Sequence, residues 1–268
     1  VANTGPGVFG WEWFFCAMAR LPELIQHADA LLQTREVLDW ANAWNGLQVA
    51  NSGRVVRIVA AVDGCEAVLA QAASVPSSLL VVHHGLFWSG VQPVVGPVYR
   101  KLKRAFEADL AVYSAHLPLD LHPRLGNNAL LVKALGFKKC RPFFVEKGRP
   151  IGLRASVRIR RSVLAERLAR VLGNPPHLAA GGPEEIREVG VVTGGAGGEV
   201  ARAAAEGVDT FITGEGPHHS FTAAEELGVN LFYGGHYATE TFGVKALAAE
   251  LSLRFRVPWE FIDHPTGL

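Results

Sequence analysis

The sequence predicts an α/β fold built on a duplicated unit. Three observations carry that expectation. Short apolar runs of strand length alternate with helix-like stretches, polar breaks close those runs, and the second half of the chain repeats the order of the first.

In chain order, residues 57–62 read as a buried strand and 66–73 as a helix. Residues 79–82 form the next apolar strand, broken by His83-His84-Gly85. A helix over 99–108 and a strand over 110–113 follow. Asn128 is expected to cap a helix over 129–135 that Gly136 closes. Residues 154–160 alternate with a period of two, the pattern of a half-exposed strand. Ser162 then opens a helix to about Leu172, stopped by the Asn174-Pro175-Pro176 turn.

The repeat is visible in register. Ile58 lies over Val189, and the offset holds through His84 over Glu215, with Asp63-Gly64 on Gly194-Gly195. A shorter offset then lays Ala111 over Leu231, His116 over His236 and Asp120 over Glu240. Each of these carboxylates is followed by a helical stretch.

A length of 268 residues suits one large or two small domains. The repeat divides the chain into 18–140, carrying the HHG and HxxxD elements, and 141–268, carrying GHxxxE. Apolar residues make up 49% and charged ones 19%, which excludes disorder as the dominant state. Lys and Arg total 26 against 25 acidic residues, too even a balance for a broad nucleic-acid or anionic-membrane footprint. Cys16, Cys65 and Cys140 form no CxxC pair and read as reduced thiols of a cytoplasmic protein. The apolar run over 8–19 is too short to span a bilayer, and no basic segment precedes Ala17-Met18-Ala19. Met18 is the only methionine, so residues 1–17 read as an upstream extension of a chain that begins at Met18.

The chemistry concentrates at strand ends, where α/β proteins hold ligands. Neighbouring residues of a strand point to opposite faces, so His83 and His84 are expected to reach two separate points, as two metals would require. His116-x-x-x-Asp120 and His236-x-x-x-Glu240 each put an imidazole and a carboxylate where a strand enters a helix. One such pair in isolation is most simply a surface pair one helical turn apart. Three such elements at predicted strand ends favour a site instead. Nitrogen and oxygen donors without thiolate suit zinc, iron or manganese. The glycine run over 194–198 could cradle a phosphate, but it matches neither the dinucleotide fingerprint nor the P-loop. A tight strand-to-helix turn is the preferred reading. Arg100, Lys101, Lys103 and Arg104 read as a solvated helix face.

Five segments occur together in one order: Asn45-Gly46-Leu47-Gln48-Val49, Val82-His83-His84-Gly85, Ser114-Ala115-His116-Leu117-Pro118-Leu119-Asp120, Thr213-Gly214-Glu215 and Gly235-His236-Tyr237-Ala238-Thr239-Glu240. In these the chain resembles the Nif-three-like dinuclear-metal-centre proteins, a family labelled GTP cyclohydrolase type 2 homologues. The resemblance runs from residue 18 to 268. It implies two intertwined, duplicated α/β repeats with mixed sheets, assembled as a ring-shaped homohexamer. It implies that His83, His84, Asp120, His236 and Glu240 hold two divalent ions per subunit, with Glu240 as the bridge. His116 lies beside them as the proton carrier or a sixth ligand, and His219 as a contact behind the ligands or to the substrate. Leu121-His122-Pro123-Arg124 departs from the alanine-rich stretch often found there, which touches the surroundings of Asp120. The implied activity is metal-dependent hydrolysis of a nucleotide or related substrate, in the cytoplasm and without a membrane or nucleic-acid partner. The alternative is a non-catalytic, oligomeric metal-binding scaffold that handles metal or binds proteins.

Overall fold

In the computed structural model, which describes residues 18–90 and 92–268, the apolar runs become two large sheets. The extension expected over 1–17 lies outside the described residues. The first half supplies β1 (Ala19–Arg20), α1 (Leu21–Leu32), β2 (Gly46–Val49), β3 (Arg54–Val55), β4 (Arg57–Asp63), α2 (Glu66–Ala72), β5 (Ser78–His84), α3 (Gly96–Glu107), β6 (Ala111–Ser114), α4 (Leu117–Asp120) and α5 (Asn127–Ala134). The second supplies β7 (Arg141–Glu146), β8 (Arg149–Arg160), α6 (Arg161–Leu172), β9 (His177–Ala180), β10 (Glu185–Val191), α7 (Val200–Ala205), β11 (Thr210–Thr213), α8 (His219–Leu227), β12 (Asn230–Tyr233), α9 (His236–Phe255) and β13 (Trp259–Phe261).

The duplication is written in the pairing. The first sheet runs β13-β4-β5-β6-β2, with β4, β5 and β6 parallel and β2 antiparallel on β6. The second runs β7-β8-β10-β11-β12-β9, with β10, β11 and β12 parallel and β9 antiparallel on β12. Only the far edges differ: β13 joins β4 in parallel, whereas β8 joins β10 antiparallel and carries β7 as a hairpin. Both sheets are therefore mixed.

The strands read as unbroken apolar runs because both faces are covered. Ile58, Ala60, Val62, Leu79 and Val81 face a layer holding α1 residues Leu24 and Ala28. Val59, Ala61, Leu80 and Val82 face the opposite layer, with Val68 and Leu69 of α2 and Ala105 of α3. The second sheet is covered in the same way, by α6 on one face and by α7 and α8 on the other.

The last helix of each repeat crosses over. Val244, Leu247 and Leu251 of α9 bury in the first sheet's core, while Leu131, Val132 and Leu135, in and just after α5, bury in the second's. This exchange intertwines the repeats and brings the start of α9, with Glu240, to the end of β5. Asn128 departs from its expected role. Gly126 occupies the N-cap of α5 without a side-chain cap bond. Asn128 lies one residue inside the helix, where it donates to the Ile151 carbonyl at 2.9 Å and accepts from Thr193 N–H at 2.9 Å. A buried amide satisfied by both neighbours pins the first repeat to the second, a greater gain than capping a helix that water could cap. Among the described residues no helix is long and apolar enough to cross a membrane.

Candidate metal centre

Strand ends and helix starts bring every predicted histidine and carboxylate ligand to one place. His83 and His84 close β5, His116 caps α4 and Asp120 ends it, and α9 begins at His236 with Glu240 one turn on. Gly235 before α9 has φ +94°, a conformation that favours glycine. Gly194 sits against the cluster with φ +73°, and a Cβ there would collide with Glu240 Oε1. The predicted tight turn over 194–198 is what forms. Gly194 N–H donates to Thr239 Oγ1, Ala196 N–H to Thr213 Oγ1 and Gly197 N–H to the Glu215 carbonyl. With those amides committed, the phosphate cradle is set aside.

Each imidazole is turned the same way by an oxygen behind it. His83 Nδ1–H donates to the Ala115 carbonyl at 2.8 Å, and because a carbonyl only accepts, this fixes the tautomer. His84 Nδ1 lies 2.8 Å from Asp63 Oδ1, His116 Nδ1 2.9 Å from Asp39 Oδ1, and His236 Nδ1 2.9 Å from Glu215 Oε1. All four rings therefore face inward with Nε2. Asp120 is held likewise: its Oδ1 accepts from Asn127 Nδ2 at 2.7 Å. Such outer partners set tautomer and aim in metal-binding histidines.

The inward atoms converge on Glu240, which is 3% exposed. Its Oε1 lies 3.5 Å from His83 Nε2, and its Oε2 lies 3.3 Å from His84 Nε2 and 3.1 Å from His236 Nε2. Asp120 Oδ2 lies 3.4 Å from His83 Nε2. His83 and His84 thus approach different oxygens of one carboxylate, with ring centroids 4.9 Å apart. The two rings lie this close because His84 is the last residue of β5, where the sheet ends and one carboxylate can meet both.

The arrangement fits cations. Apart from the 3.1–3.5 Å ion-pair contacts within the cluster, His83 Nε2, His236 Nε2 and Glu240 Oε2 are buried without a hydrogen-bond partner, a costly state that a cation among them would relieve. Two overlapping groups, His83, His84 and His116, and His84, His236 and Glu240, each bring one ligand atom per residue within 4.8 Å of the others. This buried His/Glu cluster can hold metal ions. His218 and His219 are exposed and line no part of the cleft over the cluster.

The charges reinforce one another. Burial opposes the charged form of His83, but Asp120 and Glu240 outweigh it and push its pKa well above the imidazole range. Burial likewise opposes charging of His236, yet Glu240 and Glu215 raise it to about 9. Burial would raise Glu240, but His83 and His236 hold it well below the usual carboxylate range. A metal ion needs the neutral imidazole, so at pH 7 it must displace protons from His83 and His236. Zinc uptake at pH 7 is therefore expected to release protons, with apparent affinity rising as pH increases toward about 9. Calorimetric titrations in buffers of different ionisation enthalpy measure this directly; uptake without proton release between pH 6 and 8 would contradict it.

The carboxylates behind the rings have uneven sequence signals. Glu215 stands in the Thr213-Gly214-Glu215 segment and Asp63 aligns with the glycine turn, but neither spacing marks a partner for histidine. Asp39 has no local signal at all. Asn45 ties it in, donating from Nδ2 to Asp39 Oδ2 at 2.8 Å and accepting His116 N–H through Oδ1 at 2.7 Å.

The cleft above the cluster has a volume of about 680 Å³, within the range of small-molecule sites. Its lining draws on both repeats, with Asp63, His84 and Trp88 from the first and Phe144, Ile151 and Val192 from the second. The fold and the site together define the class: a duplicated α/β protein with a buried imidazole–carboxylate cluster, able to hold metal ions, at the junction of its repeats. The family model of Duf34/NIF3 (NGG1p interacting factor 3) matches residues 19–266, and the chain belongs to that family. It is 42% identical over 226 residues to a protein of Deinococcus radiodurans named GTP cyclohydrolase 1 type 2 homolog, covering 84% of this chain and 86% of the relative. A Halobacterium salinarum protein of the same name is 42% identical over 239 residues, covering 87% and 94%. Among solved structures, TTHA1606 from Thermus thermophilus superposes with a TM-score of 0.85 at 39% identity, covering 93% of this chain and 100% of that one. The protein ybgI, described as of unknown function, gives 0.86 at 34%, again covering 93% and 100%.

Proposed function

We propose that the chain binds two divalent metal ions and acts as a metal-dependent hydrolase on a nucleotide or related substrate. The observation that carries this reading is Glu240, whose two oxygens meet different imidazoles, and whose own Oε2 is buried without a hydrogen-bond partner, as are His83 Nε2 and His236 Nε2 beside it. His83, His84, Asp120, His236 and Glu240 would hold the ions, with Glu240 between them. The donor set suits zinc, iron or manganese. When bound, paired metals make water acidic and stabilise the charge that builds up after its attack.

The chain's own part is aim and proton transfer. His116, with Nδ1 fixed by Asp39, presents Nε2 to the cleft as the group that exchanges a proton with substrate or leaving group. Burial would raise Asp39, but its bonds with His116 and Asn45 outweigh this and hold it below the usual carboxylate range. At neutral pH it therefore stays ionised and keeps the His116 ring in place. The names of the relatives support a nucleotide as substrate. A second reading, a non-catalytic metal-binding scaffold, draws on the family's description as an interacting factor. The discriminating experiment is a screen of nucleotides and phosphoesters on protein of quantified metal content, with a ligand variant as control. Metal-dependent turnover supports the hydrolase, and none by fully loaded protein favours the scaffold.

The same reading includes a cytoplasmic homohexamer. Val95, Tyr99 and Phe106 stand exposed along and just before α3, apolar surface of the kind that association buries. Light scattering on a size-exclusion column is expected to give six times the chain mass. A stable monomer at micromolar concentration would contradict the assembly.

A further inference from the structure

One wall of the cleft has no part in the proposed hydrolysis. Trp88 lies four residues beyond His84, and its ring packs against two imidazoles of the cluster, 5.2 Å from His84 and 4.6 Å from His116 between centroids. It nevertheless remains 37% exposed and lines the cleft. Trp40, from the loop that carries Asp39, lines the same cleft and is 48% exposed.

Indoles are among the largest apolar groups a chain can bury, so two left half in water around one cavity require a reason. Anchoring the loop is not that reason. Leu86 N–H already donates to Gln48 Oε1 at 2.7 Å, and Phe87 packs edge-on to Trp44 at 6.4 Å. Trp40 is held from outside the cleft's floor, with Lys147 of the β7–β8 turn lying 4.0 Å over its ring. The cleft thus has a polar floor of imidazoles and carboxylates and two fixed indoles at its side. That combination suits a flat, polarisable group whose edge carries polar atoms.

We infer that the cleft takes a substrate bearing a planar aromatic ring, stacked on Trp88 and bordered by Trp40, and that Trp88 determines specificity for it. The inference rests on the hydrolase reading only for the chemistry done on the seated substrate, since stacking requires no turnover. Every base offers a π-face, so Trp88 selects ring over no ring and does not discriminate among rings.

The test uses adenosine monophosphate and ribose 5-phosphate, which share a sugar and a phosphate and differ by the ring. Equilibrium dialysis on the zinc-loaded full chain compares wild type, Trp88→Phe and Trp88→Leu. Leucine keeps apolar packing against His84 and His116 but lacks a π-face. Adenosine monophosphate is expected to bind wild type more tightly than ribose 5-phosphate. Trp88→Leu should lose about tenfold or more of that affinity, Trp88→Phe should keep most of it, and ribose 5-phosphate binding should be equal in all three. Equal binding of the two probes to wild type, or an unchanged affinity of adenosine monophosphate for Trp88→Leu, would overturn the inference. Because the readout is binding, an absence of turnover would defeat the hydrolase reading and leave this result standing.

Discussion

Glu240→Gln is expected to remove both metal ions, the largest effect of any single change in the chain. The substitution keeps the shape of a side chain that is 3% exposed, so packing of α9 against the first sheet is retained. It removes the anion that His83 meets at 3.5 Å through one oxygen and that His84 and His236 meet at 3.3 and 3.1 Å through the other. An amide has one oxygen and a donor nitrogen, so it cannot offer an anionic oxygen to each of two ions. His83→Ala should be milder, because its Nε2 lies toward Asp120 and Oε1 only, and should deplete mainly one ion. Elemental analysis of each variant, purified without chelator, checks both. Retention of both ions by Glu240→Gln would remove the bridging role.

His116→Ala is expected to keep most of the metal and to lose turnover by about a hundredfold or more, the usual contribution of a general acid or base. The reason is geometric. His116 Nδ1 is fixed by Asp39 at 2.9 Å and Leu117 N–H by the same carboxylate at 2.9 Å, which points Nε2 into the cleft from a backbone that cannot easily turn. A group so held can give or take a proton at one place only. Asp39→Asn should reproduce part of the loss while leaving His83, His84, Asp120, His236 and Glu240 in place, because the His116 ring loses its anionic anchor. Steady-state rates on a turned-over substrate, read beside metal content, separate the outcomes. Full turnover in His116→Ala would end its catalytic role, and loss of metal would make it a ligand.

Much of the fold is legible in the sequence because burial on both faces leaves a plain mark. The runs at β4 and β5 read as central strands, and the matching of His116–Asp120 with His236–Glu240 exposes the duplication and the ligand candidates at once. The exchange of α5 and α9 is not legible from the residues themselves. An apolar face on a helix states that it will be buried but not against which sheet, and only the family resemblance suggests intertwining. Asn128 misleads for a related reason: an asparagine near a helix start satisfies local capping rules, while its partners, Ile151 and Thr193, lie far along the chain. The carboxylates behind the histidines are hidden in the same way. Asp39 reaches His116 across 77 residues, and a lone aspartate in a loop has no spacing to betray it. Trp88 stands beside the His-His-Gly segment in plain view, but nothing in its sequence context says that its ring stays half exposed.

Glu240 is proposed to join two ions at the meeting of the repeats. Anomalous diffraction from crystals of protein purified without chelator, collected on both sides of the edge of the metal found by elemental analysis, tests it most directly. The expected map has two peaks, about 3.5–4 Å apart as in paired-metal sites, one beside each Glu240 oxygen. A single peak, or peaks away from His83, His84, Asp120, His236 and Glu240, would contradict it.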